Sequence, residues 1–181
     1  MREFAVTIKG VAPLRMNRFT TEAKDSLSGG KSNKFSDDEK IQDAYNRTYK
    51  DDEGKYIILA KHLKACILEG ASKVALGRGR AKTTAKAVLY IKDTENLLTH
   101  SEPKIIEEVV RIPPKKGALA VKYFVVFKDW STSFVVSITD NRFPEIAVKN
   151  SIIEAGIYAG LLDGRPDYGR FVVTKFEKIK E

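Results

Sequence analysis

The stretch from Phe143 to Phe176 constrains the fold more than any other. It reads as a helix (FPEIAVKNSIIEAGIYAGLL), a basic loop (DGRPDYG) and a strand (RFVVTKF). Pro144 suits a first helical turn, where an N–H would lack an intrahelical partner anyway. Val148, Ile152, Ala155, Ala159 and Leu162 recur at threes and fours and define one apolar face. Gly156 and Gly160 lie about one turn apart. Glycine inside a helix costs roughly 1 kcal/mol relative to alanine, so close approach to a sheet is the expected compensation. Gly164 is expected to end the helix, because glycine accepts a left-handed cap. Arg165, Pro166, Tyr168, Gly169 and Arg170 then follow almost without interruption. Forked guanidinium donors and an aromatic face suit an anion or a base. The plainer use of the same residues is a tight turn with a solvated arginine, or a Pro–Tyr contact that closes the domain.

The chain ahead of this stretch sorts into alternating and helical segments. Arg2 to Gly10 alternates, with Phe4, Val6 and Ile8 on one side, and predicts a first strand. The composition then changes. Residues from about 18 to 54 are polar, carry Gly29 and Gly30, and read as a mobile projection with a short helix near Asp38–Thr48. Asp37, Asp38 and Glu39 read as a solvated charge run rather than a metal site or base, since no histidine or further carboxylate cluster joins them.

Tyr56 to Val74 predicts a long helix whose stripe is Leu59, Leu63, Cys66, Ile67, Ala71 and Val74. Lys61 and Lys64 point outward, His62 reads as a surface residue, and Cys66 as a buried structural thiol. Next, ALGRGRAKTTAK brings Arg78, Arg80, Lys82 and Lys86 with two glycines and no acid. A basic loop of this kind lets amides and guanidiniums reach phosphates together, and it is not expected to open a helix. Strands follow at Ala87–Lys92, Ile105–Ile112, Val121–Lys128 and Thr132–Thr139, with a loop over Asp93–Ser101 and a basic turn at Lys115–Gly117. Trp130 has two uses, stacking on a base or anchoring a hairpin, and the second is the commoner.

Charge decides which partners fit. With 32 Lys and Arg against 24 Asp and Glu, the net charge of +8 favours polyanions, although a lysine-rich thermophilic surface has the same balance. A single cysteine excludes an internal disulfide and a cysteine-based zinc cluster. No apolar run approaches ~20 residues, so no membrane span is expected. The chain enters a strand at once, so no signal peptide is expected either, and the predicted location is the cytoplasm, that of the host if the protein is viral. No nucleotide-cradling motif, zinc pattern or Ser-His-Asp spacing is present. Neither a cofactor, a metal nor a catalytic residue is therefore predicted.

Reduced to its strong elements, the chain runs strand, helix, strands, helix, strand. That order predicts one α+β domain over residues 1–181 of ferredoxin-like type, as in RNA-recognition folds. Two helices should cover one face of an antiparallel sheet, with a long insertion after the first strand and an extra hairpin region near residues 93–120. The other face, or the loops at one end, would be left for a ligand.

Two resemblances attach to particular segments. DDEGKYIILAKHLKACILEGASK resembles the glycine, short strand and Leu-Lys helix that open the first helix of RAMP-superfamily proteins, among them backbone subunits of CRISPR effector complexes. The insertion after the first strand is similar to their thumb-like insertions, whereas their usual Pro-Gly-Ser is replaced by Ile58, Leu59 and Ala60. Across most of its length the chain also resembles a family of uncharacterised phage and mobile-element proteins. The shared segments are VAPLRMNRF, EGKYI, GRGRA and EAGIYAGLLDGRPDYGRF.

Together these imply a non-enzymatic protein of a virus or mobile element that binds single-stranded RNA or DNA. Arg78, Arg80, Lys82 and Lys86 would hold the backbone, Arg165 and Arg170 a further phosphate, and Tyr168 a base, with Lys61 and Lys64 flanking the groove. Self-assembly along the nucleic acid, or a partner in a protein complex, is a further expectation. Two alternatives stand beside this reading. One is a metal-independent endoribonuclease using His62, His100, Tyr168 or lysines as acid and base. The other is a protein-interaction or inhibitor module acting on a CRISPR-like complex.

Overall fold

Residues 1–19, 36–111 and 119–180 are described by the computed structural model. Residues 20–35 of the polar stretch read as a projection, including Gly29 and Gly30, lie outside them, as does the Lys115–Gly117 turn. The chain is α+β, with antiparallel sheets and four α-helices among the described residues.

β1 (Arg2–Gly10) lies at the heart of the main sheet because its alternation is strict: Phe4, Val6 and Ile8 are buried on one face. It pairs with β10 (Trp130–Ile138) on one side and β11 (Phe171–Lys178) on the other, both antiparallel. The far edge of β10 is shared. β7 (Glu95–His100) pairs with Trp130–Thr132 at its start, and β6 (Leu89–Ile91) with Val136–Ile138 at its end. β3 (Ile57–Leu59) extends the sheet beyond β7.

Helices α2 (Ala60–Ala71) and α4 (Glu145–Glu154) lie side by side over the Phe4–Val6–Ile8 face. Leu63, Cys66, Ile67, Val148 and Ile152 fill the core they share with Phe134, Val136 and Ile138. Gly70 lets the helices touch, since a Cβ there would stand 2.1 Å from the Ser151 carbonyl oxygen. α1 (Asp37–Asn46) and α3 (Ala81–Val88) are shorter. α1 is capped by Ser36 and Glu39, which exchange backbone and side-chain hydrogen bonds. Its acidic first turn, Asp37 to Glu39, therefore serves the helix N-terminus. No helix among the described residues is long and apolar enough to cross a membrane.

A second sheet stands beside the first. β8 (Lys104–Arg111) and β9 (Leu119–Phe127) form a hairpin, and β2 (Leu14–Met16) joins the Val125–Phe127 end of β9. α1 packs on β9 through Arg47, whose guanidinium donates to Asn17 Oδ1 at 2.7 Å and to the Tyr123 carbonyl at 3.0 Å.

Four sequence expectations need correction. Ile57–Leu59 is a strand rather than the first turn of the long helix, which starts at Ala60. Glu95–His100 is a strand rather than a loop; buried Asn96 donates to the carbonyls of Ile58 and Asp93 and ties it in place. GRGRAK does open a helix: β4 (Ala75–Leu76) and β5 (Gly79–Arg80) form a small hairpin, and α3 begins at Ala81. The helix before the basic loop ends at Gly160, not Gly164. It closes with a π-helical turn over Ala155–Ala159, and Gly160 takes φ of 71° while its N–H donates to the Ala155 carbonyl.

Candidate nucleic-acid interface

The loop after the π turn is fixed by backbone hydrogen bonds to the segment that follows β1. Gly169 N–H donates to the Pro13 carbonyl at 2.8 Å, Asp163 N–H to the Arg15 carbonyl at 3.2 Å, and Val11 and Ala12 N–H groups to the Arg170 carbonyl. VAPLR and DGRPDYGR, separated by some 150 positions in sequence, thus form one unit. Gly156 permits the chain to return beside its own helix: a Cβ there would lie 2.2 Å from the Phe171 carbonyl oxygen.

Arg15 organises the inner side of this unit. Its Nη1 donates to Glu108 Oε2 at 2.6 Å, and its Nε lies 2.8 Å from Asp163 Oδ2, close enough for an ion pair although not aligned as a hydrogen bond. The guanidinium carbon stands 4.4 Å from the Phe124 ring centre and 4.6 Å from that of Tyr168. The Tyr168 hydroxyl donates to Glu108 Oε1 at 3.0 Å. Burial first, then this hydrogen bond, pushes the Tyr168 phenol up. Tyr168 therefore faces Arg15 and β8, while Arg165 is exposed on the outer side.

The outer side continues along α2. Arg15, Arg165, Glu69, Tyr158, Leu162 and Asp163 line a groove of about 550 Å³, so Arg15 reaches this side as well. A larger cleft, about 1090 Å³, lies between the chain ends around Arg2 and Lys178, remote from these groups. Lys73, at the end of α2, holds its Nζ 5.8 Å from the Tyr158 ring centre. The Lys73 carbonyl in turn accepts from Arg80 Nη1 at 3.0 Å. On α2 itself Lys61 is exposed, and Lys64 Nζ sits 4.4 Å over the ring of Tyr90. Arg78 is exposed at the tip of the small hairpin, and Lys82 and Lys86 are exposed on α3. The structure thus brings Arg80, Lys73, Tyr158 and Arg165 into one run. Arg170 is exposed, and among the described residues no side-chain hydrogen bond or ion pair joins it to that run.

The two histidines occupy different aromatic clusters. His62 stands edge-on to Tyr49, with ring centres 4.8 Å apart, and burial, helped by Lys61 and Arg165, holds it below its ordinary value. Its Nδ1 is buried without a partner. His100 packs against Tyr56 and Phe127, and its Nδ1 meets the Ser101 carbonyl at 2.7 Å. Trp130 is buried and donates its indole N–H to the Ala12 carbonyl at 2.9 Å, so it anchors the β10 end of the main sheet.

Sequence reasoning missed Lys73, Tyr158 and Arg15. For Tyr158 the periodicity misled: it lies three residues after Ala155 and four before Leu162, at the spacing of the apolar stripe, yet its ring is exposed. Arg15 carried no signal, because its partners Glu108, Asp163 and Tyr168 are all distant in sequence.

The class of protein these features define is an α+β chain with a basic outer face built on one helix. No family model and no curated protein matches the sequence. The fold is similar to that of a chain in a cryo-EM structure of the Type III-B Cmr-beta bound to cognate target RNA. The TM-score is 0.58 at 15% identity over 99% of this chain, which spans 61% of that one.

Proposed function

We propose that this chain is a single-stranded nucleic-acid-binding protein of ferredoxin-like, RAMP type, from a virus or mobile element. The strand order β11–β1–β10–β6, with α2 and α4 on one face, supports that fold reading. One observation carries the functional reading: Arg80, Lys73, Tyr158 and Arg165 adjoin in sequence-distant succession along the outer side of α2. A backbone of phosphates spaced along such a run would displace a counterion at each contact. The similar chain belongs to an assembly bound to target RNA, which favours RNA as the strand to try first.

Binding of single- and double-stranded RNA and DNA across a salt series tests the reading, with the products run on a gel. For single strands the slope of log affinity against log salt is about −0.7 per phosphate contact, so Arg78→Ala with Arg80→Ala should flatten it by roughly 1.4. All sequences should weaken alike and stay uncut. Tight binding by an Arg78/Arg80 variant and by Arg165→Ala at low salt would make the charge incidental and favour a protein-interaction module. Fragments on the gel would favour an endoribonuclease instead.

A further inference from the structure

Tyr158 is 60% exposed, yet the backbone beneath it is held on both sides. It sits on the π-helical turn, where Ala155 abuts Gly70 of α2 and Gly156 abuts Phe171 of β11. Turns of this kind are uncommon and often mark functional sites. The ring borders the groove that also holds Arg165 and Glu69, and Lys73 Nζ lies 5.8 Å from its centre. Asp163 also lines the groove, but its carboxylate is 2.8 Å from Arg15 Nε, which offsets its charge. An exposed aromatic ring with one cation beside it and another on the same groove matches the alternation of base and phosphate along a single strand.

We propose that this groove holds one nucleotide, with its base stacked on Tyr158 and its phosphate on Arg165, a proposal that rests on the nucleic-acid-binding reading above. The stacking role expected of Tyr168 passes to Tyr158. The Tyr168 ring is covered by the Arg15 guanidinium at 4.6 Å, and its hydroxyl is given to Glu108. Glu69, exposed on the same groove, repels a phosphate and so confines it to the Arg165 side.

The test uses short single-stranded RNA and DNA carrying the fluorescent base 2-aminopurine, whose emission falls when it stacks on an aromatic ring. Tyr158→Ala should weaken binding ~5–150-fold without altering the salt slope, and should abolish the ring-dependent quench. Tyr158→Phe keeps the π face and should bind within ~2-fold of the parent. Arg165→Ala should reduce the slope by about 0.7 and leave the quench in place at saturation. A melting curve for each variant shows that the exposed ring is not needed for folding. If the parent binds and quenches but Tyr158→Ala does so equally well, the base contact lies elsewhere and only this inference falls. If the parent binds no strand at low salt, the nucleic-acid reading falls with it.

Discussion

Cys66 and His62 lie one turn apart on α2 and meet opposite demands. Cys66 is buried and its thiol donates to the Gly160 carbonyl at 3.1 Å, while burial pushes its titration up to about 12. The thiol is a packing group and a latch on the end of the π turn. His62 is only partly covered, and burial first, then Lys61 and Arg165, keeps it neutral below its ordinary value of 6.5. As the pH falls through that value the unfolded chain takes up the proton first, so the folded state loses stability until the lower native value is passed. His62→Gln removes this linkage. Between about pH 7.5 and about pH 5 the parent should lose more melting temperature than the variant. Equal losses would show that His62 does not contribute to the acid limb.

At the scale of elements, glycines decide how closely the helices and strands approach. At Gly70 a Cβ would lie 2.1 Å from the Ser151 carbonyl oxygen and 2.3 Å from the Ala155 nitrogen, both backbone atoms that cannot swing away. Gly70→Ala should therefore cost about 3 kcal/mol or more in urea unfolding, at the upper end for overpacked sites. Gly79→Ala is a fair control, because the nearest atom to its added Cβ is 3.9 Å away. Its change should stay within about 0.5 kcal/mol. A small effect at Gly70 would mean that α2 and α4 do not pack this closely.

The helix stripes were legible in the sequence because burial repeats at helical spacing, as Val148, Ile152 and Ala155 show. The strands β3 and β7 were not. Ile57–Leu59 continues the apolar spacing of α2, and its strand character comes from pairing with Leu97, Asn96 and Glu95. Glu95–His100 looks polar because its buried positions include Asn96, whose side chain serves as a backbone clamp. Gly160 and Gly164 both have positive φ, so composition alone did not say which one ended the helix. The basic residues were readable one by one; their succession was not, since Lys73, Tyr158 and Arg165 meet only through the packing of α2 against the π turn.

Across the whole molecule, Arg15 is the joint between the second sheet and the basic loop. It sits on β2, reaches Glu108 on β8, meets Asp163 in the loop and stacks between Phe124 and Tyr168. Its side chain is 12% exposed, against 33% for each carboxylate, so the cation is the more desolvated member of the group. Removing one partner of such a partly buried pair leaves a charge that solvent only partly screens, and costs about 1–3 kcal/mol. Arg15→Met keeps much of the stem but strands Glu108 and Asp163 against each other. The variant should melt lower, and amide exchange should quicken at Asp163, Tyr168 and Gly169, whose N–H groups donate to Arg15, Gly164 and Pro13. Because that loop displays Arg165, and Arg15 itself lines the same groove, strand binding should weaken too. Restoring charge balance with Glu108→Gln in the Arg15→Met background should recover part of the stability, as coupled neighbours do. If the double variant is no more stable than Arg15→Met alone, the ion pair does not hold the loop to the second sheet, and the backbone hydrogen bonds between Pro13 and Gly169 suffice.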